Sequence, residues 1–121
     1  MMRYLLTTAL FGLLAVVTLS AQPRRESPVH RVLEDLHHVS DRSFVDEERR
    51  REFARAQEEL VRFERDVHYE HEFDTGHIDR AIDMLSRLSH SRELRPADRD
   101  IFRRDIDMLR DFRRYGRTGW R

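Results

Sequence analysis

The chain has 121 residues, of which 39% are apolar and 38% charged; it has no Cys and a formal charge of zero. Subtracting an apolar leader of about 21 residues leaves roughly 100, enough for one small domain. Without Cys there is no disulfide framework, thiolate metal site or cysteine nucleophile. All 23 cations are Arg and the same number of acids balances them, so no bulk field attracts polyanions, and specific nucleic-acid binding is not expected.

Residues 1–21 pair a short basic start, Met1-Met2-Arg3, with an apolar run containing Leu5, Leu6, Leu10, Phe11, Leu13, Leu14, Val16 and Val17 and the small residues Ser20-Ala21. This pattern predicts a signal peptide, cleaved after Ala21 or retained as an anchor, and an exported protein, periplasmic or secreted. The apolar run is shorter than the roughly 20 residues of a spanning helix. Residues 22–28 read as a flexible linker.

The rest of the chain matches itself without a gap at an offset of 49 residues, 30–65 on 79–114. Arg31/Arg80, Leu36/Leu85, Ser40/Ser89, Arg50/Arg99, Phe53/Phe102, Arg55/Arg104, Leu60/Leu109, Phe63/Phe112 and Arg65/Arg114 are identical, and Val32/Ala81, Leu33/Ile82, Val39/Leu88 and Val45/Leu94 preserve apolar character. Such an internal repeat governs the fold. Val29, Val32, Leu33, Leu36 and Val39 recur at helical spacing, as do Ile78, Ala81, Ile82, Leu85 and Leu88, and these are the first helices of two units. Phe53, Ala56, Leu60, Phe63 and Val67, and then Phe102, Ile106, Leu109 and Phe112, form the narrow, coiled-coil-like stripes of the second helices. Asp46 is placed to cap one second helix and Pro96 to open the other, while Asp74 or Thr75 caps the helix after a turn in which Gly76 can take positive φ.

The predicted architecture is all-α: a four-helix bundle from two tandem hairpins, 29–72 and 77–114, within a domain spanning 29–114 and followed by a basic tail, 115–121. An open or dimeric arrangement would bury the same stripes. The abundant charges read as solvated helix faces, with pairs such as Glu58/Arg62 and Asp83/Arg87.

Residues that could carry chemistry are few. His68, His71 and His77 stand with Glu70, Glu72 and Asp74 in the 68–77 stretch. His68 and His71 are three apart, as on one helix face, and imidazoles with a carboxylate suit zinc or another transition metal. The pattern is not H-E-x-x-H, because Thr75 occupies its last position. Glu34 and His37 have the Glu-x-x-His spacing of di-iron bundles, but the second copy has Asp83 and Ser86 there. With no nucleophile elbow or phosphate loop, no enzyme and no resident cofactor are expected, zinc being the alternative. Arg113, Arg114, Arg117 and Arg121 of the tail, interleaved with Tyr115 and Trp120, suit an anionic cell-envelope surface.

The run Phe73-Asp74-Thr75-Gly76-His77-Ile78-Asp79-Arg80-Ala81-Ile82, with Leu94-Arg95-Pro96-Ala97-Asp98-Arg99-Asp100 and Asp105-Ile106-Asp107-Met108-Leu109-Arg110, resembles small exported helical proteins of the acidobacterial type, a resemblance that implies no activity. More faintly, Val45-Asp46-Glu47-Glu48-Arg49 and 94–98 resemble the helix starts of Spy/CpxP-type periplasmic stress proteins, lacking the Thr and Gln of their L-T-x-x-Q motif. That likeness implies a chaperone-like or metal-sensing role. The expected function is therefore exported, non-enzymatic binding or structural work through an unknown protein partner or self-association, with a metal-binding or stress-sensing protein using 68–77 as the alternative.

Overall fold

The computed structural model describes residues 27–119, so the expected signal peptide and most of the linker lie outside the described residues. The chain forms four helices, α1 Pro28–Arg42, α2 Glu47–Arg65, α3 Thr75–Ser89 and α4 Pro96–Gly119, with a π-helical turn, Asp66–Glu70, continuing α2. Among the described residues no helix is long and apolar enough to cross a membrane.

Each start has a local cause. The Ser27 hydroxyl accepts the Val29 N–H at 3.2 Å ahead of Pro28, which needs no partner in the first turn. Asp46 accepts the Arg49 N–H at 2.9 Å, and Glu47 and Glu48 face the positive end of the α2 dipole. That backbone N–H holds the Asp46 carboxyl below the ordinary carboxylate range. Asp74 caps α3 through the Gly76 N–H at 2.9 Å, and Pro96 opens α4.

The connections 43–46, 71–74 and 90–95 return each helix along its predecessor. α1 packs on α2 and α4, and α3 packs on the same two, so the helices surround one core in chain order. Their apolar stripes meet there: Val29, Val32, Leu36 and Val39 from α1, Phe53, Ala56, Leu60 and Phe63 from α2, Ile78, Ala81, Leu85 and Leu88 from α3, and Phe102, Ile106 and Leu109 from α4 are all buried. Rings span the core from α2 to α4. Phe53 meets Phe102 at 5.8 Å and Phe63 meets Phe112 at 5.7 Å between centroids, both edge to face. Phe73, between α2 and α3, closes the triangle at 5.1 Å from Phe63 and 5.4 Å from Phe112.

Most charges are solvated as their helical spacing predicts, including Glu58–Arg62 at 2.7 Å and Asp83–Arg87 at 3.2 Å. Three acids depart from that expectation: Glu52, Asp98 and Asp105 are buried. Glu52 pairs with Arg49 at 2.6 Å. Asp98, at the start of α4, accepts from Arg42 at 2.5 Å and from Arg95 at 3.3 Å, fastening the end of α1 to α4. Asp98 is 2% exposed at its side chain and Arg42 44%, so the cost of breaking this pair is lopsided. Arg42→Ala is expected to destabilise by about 2 kcal/mol, and Asp98→Ala by less, because it frees an Arg that water already reaches. Urea titrations of the two single variants and the double variant test this; equal losses that add in the double variant refute it.

The tail also differs from expectation. α4 does not end near residue 114 but runs through Gly116 to Gly119. A Cβ on Gly116 would stand 2.8 Å from the Phe112 ring, so this glycine makes room for a ring packed at the bundle end and does not stop the helix.

Candidate metal centre

The joint between the hairpins is built by an irregular helix end. After Arg65 the backbone widens into the π turn, and the Asp66 carbonyl accepts the N–H of both His71 and, at 3.1 Å, Glu72. Such single π turns recur at functional sites. His71 closes the turn at φ 54°, in the left-handed region. Histidine tolerates this better than branched residues do, though glycine would adopt it with less strain. The expectation that Gly76 takes positive φ is corrected here, because Gly76 is helical. Its missing Cβ serves a close approach: an added Cβ would lie 3.0 Å from the capping Asp74 Oδ1 and 3.3 Å from Arg80 Nη1.

The first turn of α3 points His77 at α2. Its Nδ1 lies 2.7 Å from Glu59 Oε2, and its Nε2 lies 3.0 Å from Asp66 Oδ2 and 3.8 Å from Asp74 Oδ2. The side chains of His77 and Glu59 are each 12% exposed. Arg80 Nε reaches the same Glu59 oxygen at 3.0 Å. Burial alone would raise the Glu59 carboxyl, but the hydrogen bonds from His77 and Arg80, with their charge, outweigh it and hold it below the ordinary value. Glu59 is therefore an ionised acceptor at neutral pH, which assigns a hydrogen to His77 Nδ1. Arg80 Nη2 is also 3.0 Å from that nitrogen, but a protonated Nδ1 cannot accept from it, so Arg80 acts on Glu59.

With Nδ1 committed, Nε2 faces two carboxylates. Asp66, Asp74 and His77 form the group of three donor residues whose ligand atoms all lie within 4.8 Å of one another among the described residues. One imidazole nitrogen and two carboxylates suit a divalent transition metal. A carboxylate on the far ring nitrogen, as Glu59 supplies, is the usual way such a histidine is aimed and made more basic.

The structure does not bring the three predicted histidines together. His77 is in the cluster, while His68 and His71 lie outside it. The shared face inferred for His68 and His71 assumes 3.6 residues per turn, whereas His68 sits in a π turn and His71 in the reversal after it. His68 instead stacks edge-on with Tyr69 at 4.8 Å. Sequence reasoning missed Asp66 and Glu59. Both immediately precede a stripe residue, Leu60 of α2 for Glu59 and Val67 of the π turn for Asp66, which places them on one flank of the stripe; that α3 covers this flank is a fact of the packing.

The other candidates lie apart. Glu34 and His37 are exposed and paired within α1, with His30 at 3.2 Å and Asp41 at 3.3 Å. Arg113 is bound to Asp79 at 2.7 Å, linking the end of α4 to the start of α3. Arg114 lies 5.9 Å from the Tyr115 ring centroid. The Arg117 side chain and Arg121 fall outside the described residues. Compared with protein-family models, curated proteins and solved structures, the chain matches none.

Proposed function

We propose that the chain is an exported, non-enzymatic helical binding protein, periplasmic or secreted, whose joint takes a divalent transition metal, zinc foremost, through Asp66, Asp74 and His77. The observation that carries this reading is the posture of His77: Glu59 holds one ring nitrogen, and the other faces two carboxylates within ligand range. Three protein donors leave a position for water or for a donor from a partner. The leader-like 1–21 pattern supports export. The contacts of Phe53 with Phe102 and Phe63 with Phe112, positions paired by the 49-residue offset, support reading the hairpins as copies. The acidobacterial and Spy/CpxP resemblances agree with an exported helical protein.

A ligand that binds only the folded form stabilises it by about 2.7 kcal/mol at one hundred times its dissociation constant, which raises the melting temperature of a domain this size by roughly 10 °C or more. That rise is expected in a circular dichroism melt of the full chain with zinc. His77→Ala abolishes it, Glu59→Gln weakens zinc affinity by about 10- to 100-fold, and His68→Ala/His71→Ala keeps it. A folded chain without the shift, or a shift that survives His77→Ala, overturns the metal reading.

A second reading, protein partner capture or self-association, is favoured by Phe44, fully exposed between α1 and α2. Its check is sedimentation of wild type against Phe44→Ser, with association expected to weaken. An anionic envelope surface remains the proposed contact of Arg113, Arg114, Arg117 and Arg121.

A further inference from the structure

The contact between α1 and α4 contains a polar defect that the metal reading does not use. Asp105 is 2% exposed on the inner face of α4, and its Oδ2 has no hydrogen-bond partner. It borders a cavity of about 290 Å³ lined by Arg31 and Asp35 of α1 and by Ile101, Arg104, Asp105 and Met108 of α4. A buried orphan oxygen beside a second carboxyl is costly if both groups are ionised, and the pair becomes a hydrogen bond when one proton is shared. α1 is the first described helix, and only 43–46 connects it to the following helices. It can therefore lift from α2 and α4 without breaking the contacts of α3 with those two helices.

We propose that α1 is a proton-held latch: the Asp35–Asp105 pair fastens it to α4 while one proton is shared, and loss of that proton lets α1 open.

Burial first, then the hydrogen bond and charge of Asp35, push the Asp105 carboxyl up to about 8, against the opposing pull of Arg104 and Arg31. Those two cations and Asp35 are the charged groups facing Asp105 across the cavity; among the described residues α2 and α3 contribute none to its lining. The latch is closed at neutral and acid pH and loosens in mildly alkaline surroundings. Opening uncovers the stripe Val29, Val32, Leu36 and Val39, an apolar surface of the kind a partner helix can take.

Hydrogen exchange of the full chain between pH 6.5 and 9, with intrinsic exchange rates divided out, tests this. α1 protection (Val32, Leu36, Val39) is expected to fall by about tenfold or more in wild type and to lie below α3 protection (Leu85, Leu88) throughout, because α1 opens without α3 and its opening releases the proton. It is expected to stay within about twofold in Asp105→Asn, where the amide donates to Asp35 at every pH. Asp35→Asn removes the other member of the pair and is the second variant should Asp105→Asn fold poorly. Constant α1 protection in wild type, equal protection of α1 and α3 at every pH, or the same fall in the folded Asn variants would overturn the proposal.

Discussion

Asp105→Asn is expected to match wild-type stability within about 1 kcal/mol at pH 5 and to exceed it by at least about 2 kcal/mol at pH 8. The unfolded chain ionises this carboxyl near the ordinary aspartate value of 3.8, whereas the folded chain keeps its proton until about pH 8. Between those values the native state binds the extra proton, so wild-type stability declines as pH rises, by about 1.4 kcal/mol per unit for one full proton. Above pH 8 both states are ionised and the decline stops. The full product of slope and interval is larger than the 2 kcal/mol stated, because α1 can move and water can enter the adjacent cavity, which reduces the penalty of the ionised form. Asn keeps the shape and a donor for Asp35 and cannot ionise, so the slope disappears with the carboxyl. Urea unfolding at half-unit steps from pH 5 to 9 measures both curves. Parallel curves across that range would mean that Asp105 is ionised in the folded protein already at pH 5.

This acid also marks where a sequence reading of charge stops. The stripes at 3–4 spacing locate the core well: Val29, Val32, Leu36 and Val39 are all buried, as are Phe53, Ala56, Leu60 and Phe63, and Asp46 and Pro96 start their helices where local chemistry places them. These features are local, set by periodicity and caps within a few residues. Asp105 lies three residues after Phe102 and four before Leu109, and the 49-residue offset aligns it with Ala56, a core position. The signal was present, but in a chain so rich in charge each acid looks like another solvated one. His77 is the converse case. Its part in a cluster is legible from the 68–77 stretch, but its partners are not. Asp66 keeps the α-helical register of α2, but the π turn that follows it has no marker in the residue types, and Glu59 is 18 residues away from His77 in sequence. The left-handed reversal fell to His71, with Gly76 drawn into α3 by the Asp74 cap.

The largest loss of stability is expected from Phe102→Ala, about 3–5 kcal/mol. Phe102 is fully buried in the second turn of α4, with its ring edge to face against Phe53. Alanine removes both the transfer of the ring from water and the ring contact, and it leaves a cavity among residues of a rigid bundle. The scale matters because the described domain is small and charge-rich, and domains of this size carry only about 5–10 kcal/mol in total. Phe102→Ala should therefore leave a substantial unfolded fraction at 37 °C. Phe53→Ala belongs to the same class, and the double variant should cost less than the two losses combined, because the second truncation enlarges a cavity that already exists. Phe112→Ala is the internal comparison: that ring touches Phe63 and Phe73 but is half-buried near the end of α4, so its loss should be about half as large. Denaturant midpoints at a fixed pH of 6 keep the Asp105 proton out of the comparison. A Phe102→Ala loss no larger than that of Phe112→Ala would show that α4 does not seat Phe102 in the core, and the cyclic packing of the four helices would fall with it.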